Sequence, residues 1–118
     1  METDTEVINR ESVRCNVCGD SDLFVDLVDI FRRDLPQMRY TLQLAVLEGD
    51  WSAIAGAAHR LKSSLAVLGA TCRTTAEQLE IAAKAGDASR IDPVARELER
   101  ELDAVLPALD AMVRSGAL

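Results

Sequence analysis

The sequence predicts an all-α protein, an antiparallel four-helix bundle with an additional short N-terminal helix. Aromatic residues make up only 3% of a chain that is 48% hydrophobic, and Leu, Ala and Val dominate the apolar positions. That balance suits helices packed on helices better than a sheet, which draws on aromatic and β-branched residues. From Asp22 onward the apolar residues recur with helical period. Glycines and N-capping acids punctuate the pattern closely, so connections are short and consecutive helices run antiparallel. At 118 residues the chain forms one domain with a modest core. Residues 1–19 read as an N-terminal segment and residues 20–118 as the bundle.

Within the first segment, INRESVRCNV suits a short helix ahead of the turn signal Gly19-Asp20-Ser21. Leu23, Leu27, Ile30 and Phe31 then form the stripe of the first long helix, which Pro36 is expected to end. Pro36 would open the next helix, where Met38, Leu42, Ala45 and Val46 face inward and Gly49 is the stop. Asp50 caps a third helix running from Trp51 to about Leu68, and Gly69 closes it. A fourth spans Thr74 to Ala85, with Leu79 and Ala83 inward and Gly86 after it. Asp92-Pro93 reads as N-cap and first position of a long last helix. Val94, Leu98, Leu102, Val105, Leu109 and Met112 are its stripe, and Pro107 is expected to kink it.

The formal net charge is -7, from 20 acidic and 13 basic residues, which argues against a nucleic-acid binder. No apolar run approaches the ~18 residues of a membrane span, and the acidic start lacks the apolar region of a secretory signal. A cytoplasmic, free-standing and monomeric chain is expected, although Tyr40, Leu44 and Leu47 mark a second stripe on the second helix. Three cysteines without an export signal read as free thiols. Cys15-x-x-Cys18 is half of a zinc signature, but only Cys72 and His59 remain to complete it as Cys or His ligands, so no metal site is expected.

His59, the single histidine, carries the functional signal. At about 100° per residue, Trp51, Ile54, Ala58, Leu61, Leu65 and Leu68 share one arc of the third helix, and His59 lies roughly 130° from its centre. The imidazole therefore faces solvent. Around it on the wheel stand Ser52, Ala55, Gly56, Lys62, Ser63 and Ala66, all small except the lysine. Small residues give another protein's surface clearance to reach the ring. Lys62, three residues on, leans back toward it. A cation there hinders a metal site or a general base, but it suits an imidazole that carries a phosphoryl group. Arg60 adds local positive charge in an acidic chain.

These residues resemble the histidine-containing phosphotransfer (HPt) domain family. His59, Leu61, Lys62, Ser64, Gly69 and Ala70 fall in register with its histidine-centred motif. Phe31, Leu35-Pro36, Gly49-Asp50-Trp51, Leu79-Glu80 and Gly86-Asp87 resemble its flanks, over about residues 20 to 112. The resemblance implies a phosphoryl shuttle without kinase activity of its own. His59 would take a phosphoryl group from a receiver-domain aspartyl-phosphate and pass it to another receiver's Asp. The implied partners are response-regulator receiver domains and a hybrid histidine kinase. Mg²⁺ belongs to the receiver, and no cofactor is expected on this chain. Lys62 would balance phosphoryl charge, and Ser52, Ala55, Gly56, Arg60, Ala66 and Gly69 would form the docking face. Which ring nitrogen reacts is left open.

One departure stands out. Ser63 occupies the position where the family usually has glycine, one turn after His59. Its hydroxyl can donate to the phosphoryl group or turn back to the helix backbone. Ser63 also leaves open a second reading, an HPt-like module that docks or sequesters a receiver without transfer. A metal- or thiol-responsive protein built on Cys15, Cys18 and Cys72 is the third reading.

Overall fold

The computed structural model describes residues 6–116 and 118, which contain six helices. They are α1 (Arg10–Asn16), α2 (Ser21–Glu48), α3 (Trp51–Val67), α4 (Arg73–Ala85), α5 (Ala88–Leu102) and α6 (Val105–Ser115). Helices α2 to α5 form the bundle, and α6 continues from α5 to pack back on α2. The most extensive contact is between α3 and α4. Residues 1–5, the start of the expected N-terminal segment, lie outside the described residues.

Local chemistry sets the helix ends. Asp20 and Asp50 accept from the backbone N–H groups of Leu23 and Ala53, each at 3.1 Å, and so satisfy donors in the first turns of α2 and α3. Gly49 and Gly86 take left-handed conformations that stop α2 and α4.

Three expectations about proline are corrected. Pro36 does not end a helix: α2 runs through it for 28 residues. Pro36 and residue 32, whose carbonyl loses its partner there, lie on the exposed side, while Leu35 and Leu42 hold both halves against the core. The next helix does not begin at Asp92-Pro93. It starts at Ala88 after Asp87, and the extra turn is held by burial of Ile91. Pro107 kinks nothing, because the chain breaks at Asp103-Ala104 and Pro107 falls in the first turn of α6, where a missing N–H costs no helix bond.

The core follows the expected stripes on α3 and along α5 and α6, with Ile54, Ala58, Leu61, Leu65, Leu98, Leu102, Val105 and Leu109 buried. Trp51 is the exception on α3 and is partly exposed at the helix start. On α2 the inward face is rotated from the expected stripe. Phe24, Val28, Phe31 and Leu35 are buried, whereas Leu23 and Ile30 are exposed.

The short α1 is clasped to the end of α3. Asn9 N–H donates to the Gly69 carbonyl at 2.7 Å, and the Asn16 amide donates to the carbonyls of Ala66 and Val67. Val13 and Val17 join the common core. Gly69 has φ +67, and a Cβ there would meet the Asn9 carbonyl oxygen and Val13 Cγ2 at 2.7 Å. Gly56 is different: it lies within α3 with open space where its side chain would be. Gly69→Ala should therefore lower stability by roughly 2–4 kcal/mol, whereas Gly56→Ala should raise it by about 0.5–1 kcal/mol. Thermal melts of the two variants beside wild type check the opposite signs.

Candidate functional site

His59 occupies the middle of α3, on the side away from Leu61 and Leu65, and 57% of its side chain is exposed. Its ring is not free on both edges. Nδ1 lies 3.2 Å from Oε2 of Glu80, a residue of α4 that is 21 positions away in sequence. Glu80 keeps only 7% of its side chain exposed and is one of the few polar residues buried among the described ones.

Two lysines balance this carboxylate. Lys62 Nζ stands 2.9 Å from Oε1, and Lys84 Nζ stands 2.9 Å from Oε2. Lys62 comes from α3, one turn after His59, and Lys84 from α4, one turn after Glu80. The Lys62 ammonium, then Lys84 and His59, hold the Glu80 carboxyl far below the usual carboxylate range, at about 2, against the opposing effect of burial. Ionised Glu80 accepts a hydrogen bond from Nδ1–H, which fixes the neutral imidazole in one tautomer. Nε2 then keeps its lone pair on the edge turned away from Glu80.

The expected docking residues divide. Ser52, Gly56, Arg60 and Ser63 are exposed, and Ala66 is half-buried. His59, Arg60, Ser63 and Ser64 line a groove with Arg33, Asp34, Gln37 and Met38 of α2. Ser64 Oγ contacts Met38 Sδ at 3.9 Å, a packing contact between helices. Ala55 and Gly69 are corrected. Ala55 is buried, because the core face of α3 is wider than the expected arc and also takes in Ala57. Gly69 is buried under Asn9 and Val13, roughly 15 Å along the helix axis from His59.

The Lys62 ammonium, expected beside the histidine, is paired to Glu80, the carboxylate that also meets His59 Nδ1. Glu80 is the site residue that sequence reasoning missed. Its sequence signal was weak: an acid next to Leu79, with a lysine four residues on. Cys15 and Cys18 are exposed and Cys72 is buried, with its thiol pushed up to about 11 chiefly by burial. Among the described residues no cluster of three His, Cys, Asp or Glu is arranged to hold a metal ion, and no helix is long and apolar enough to cross a membrane.

The depressed Glu80 pKa makes stability depend on acidity. Its contribution is complete above the ordinary value of 4.5 and drains away as pH falls toward about 2. Wild type should lose melting temperature across that window more steeply than Glu80→Gln, which has no carboxyl to protonate there. Parallel melting-temperature profiles from pH 5 to 2 would show that Glu80 contributes nothing.

Comparison with known proteins bears on the family and the fold. A family model described as Hpt domain matches residues 26–111. No curated protein matches the chain. Among solved structures, the crystal structure of the HPT domain from an Hpt sensor hybrid histidine kinase from Shewanella superposes with a TM-score of 0.81 at 19% sequence identity. The alignment covers 95% of this chain and 97% of that one, a likeness of fold. Since the family match runs from within α2 into α6 and takes in both His59 and Glu80, the chain belongs to the Hpt domain family.

Proposed function

We propose that the chain is a phosphocarrier of a multistep phosphorelay, with His59 as the residue that is phosphorylated. The observation that carries this reading is the pairing of an exposed imidazole with a buried carboxylate, which engages Nδ1 and leaves Nε2 available. Nε2 attacks the phosphorus of a receiver's aspartyl-phosphate. The Nε2–P bond forms as the P–O bond to the aspartate breaks, and the bonding electrons leave with the carboxylate. The Nδ1 proton stays in place. The ring becomes positively charged as the new bond forms, and Glu80 places a fixed negative charge against it. Transfer onward reverses these events: the P–N bond breaks, and neutral imidazole is a good leaving group.

The groove between α2 and α3 gives a receiver room to approach, with Gly56 and Ser63 presenting little bulk beside the ring. In this reading the receiver brings Mg²⁺ and the acids that hold it, and a hybrid histidine kinase stands upstream. The chain itself supplies the nucleophile, the carboxylate that orients it and the nearby cations, but no phosphate-cradling glycine loop of a kinase.

The test is direct phosphorylation. Phosphoramidate should add one acid-labile phosphate to wild type, as its own P–N bond breaks and ammonia leaves, and His59→Gln should take none. Glu80→Ala should label roughly tenfold more slowly, the loss expected for one hydrogen bond to a charged group. Mass spectrometry under non-acidic conditions reads all three. A folded wild type that stays unlabelled by phosphoramidate and by phosphorylated receivers, while still binding those receivers, would instead be a docking module.

A further inference from the structure

Glu80 holds its two lysines on unequal terms. Oε1 is buried with no hydrogen-bond donor in line with it, so the Lys62 ammonium alone balances that oxygen among the described residues. Lys62 is itself largely covered, with 28% of its side chain exposed. Withdrawing it would strand a buried anionic oxygen. Lys84 has 67% exposure and contacts Oε2, the same oxygen that meets His59 Nδ1. If Lys84 leaves, Oε2 keeps its histidine partner. One lysine is bound into the structure and the other is free to move.

We propose that Lys84, and not Lys62, is the mobile cation that turns to the phosphoryl group when His59 is phosphorylated. This rests on the phosphocarrier reading above. Lys84 is within reach: its ammonium and His59 Nδ1 meet on one oxygen, so their separation cannot exceed the two contacts laid end to end. The long, exposed stem can turn from Oε2 toward the Nε2 edge while His59 Nδ1 stays on that oxygen. The need for a cation is plain, because a phosphoryl group brings nearly two negative charges to a chain of net charge -7. The other charged side chains around the site stand on α4 and along the groove between α2 and α3. Glu77 acts on Lys62 from α4, Arg33 neighbours Asp34 on α2 at 4.0 Å, and Arg60 lines the groove together with His59.

The experiment uses the full chain labelled with phosphoramidate and follows the ³¹P resonance of the phosphohistidine from pH 5 to 9. A cation touching the phosphoryl group favours its dianion. Lys84→Met should therefore raise the pH of that titration by roughly half a unit or more, and Lys84→Arg should restore it. A Lys84→Met curve that superposes on wild type overturns the proposal. Melting of the unphosphorylated proteins tests the asymmetry independently: Lys62→Met should lower the melting temperature clearly and Lys84→Met only slightly. The reverse order would overturn the proposal too. A folded wild type that takes no label would sink the phosphocarrier reading itself, an outcome distinct from a labelled protein whose titration ignores Lys84.

Discussion

A buried carboxylate stays ionised at neutral pH only where cations meet it, and Glu80 meets two of them and a histidine. That one constraint organises the functional face. It draws Lys62 of α3 and Lys84 of α4 onto a single group and ties the two helices together at the level of His59. It also decides the tautomer of the imidazole, because an ionised carboxylate can only accept. Without Glu80, His59 would be an exposed histidine with neither its tautomer nor its ring direction set by a partner.

The constraint works only because α3 and α4 approach closely. Both helices turn small residues inward, Ala57 and Ala58 from α3 and Ala76, Ala82 and Ala83 from α4, and between them lies the most extensive helix contact in the protein. Helix separation follows the size of the side chains at the contact. Bulkier residues there would lift Glu80 away from the ring. The alanine-rich composition that marks the chain as helical thus also sets the distance on which the site depends.

The remaining contacts hold this pair of helices in place. The α1 segment closes the end of α3 through Asn9 and Asn16. On the far side, Arg39 of α2 reaches Glu99 and Asp103, and Arg32 pairs with Asp110 of α6. These links are half-exposed or exposed and individually weak, but they join α2 to the C-terminal helices away from the groove. The face around His59 joins the Glu80 cluster on one side to a groove lined by residues of α2 and α3 on the other.

Much of this was legible in the sequence. Helix period, the caps at Asp20 and Asp50 and the stops at Gly49 and Gly86 are local properties, set within a few residues by hydrogen bonding and backbone sterics. The outward direction of His59 followed from the same period. Proline was misread because its local preference for helix starts was outweighed, at Pro36, by apolar burial on both sides of it. Ala55 was misplaced because a helical wheel gives direction about one axis but not the width of the neighbour that covers it. Glu80 shows the same limit most sharply. Its sequence neighbours say nothing of the imidazole it holds, since the two meet only where one helix crosses another. The sequence by itself determined that His59 faces outward; the packing of α3 on α4 decided which of its nitrogens meets a carboxylate and what charge stands behind it.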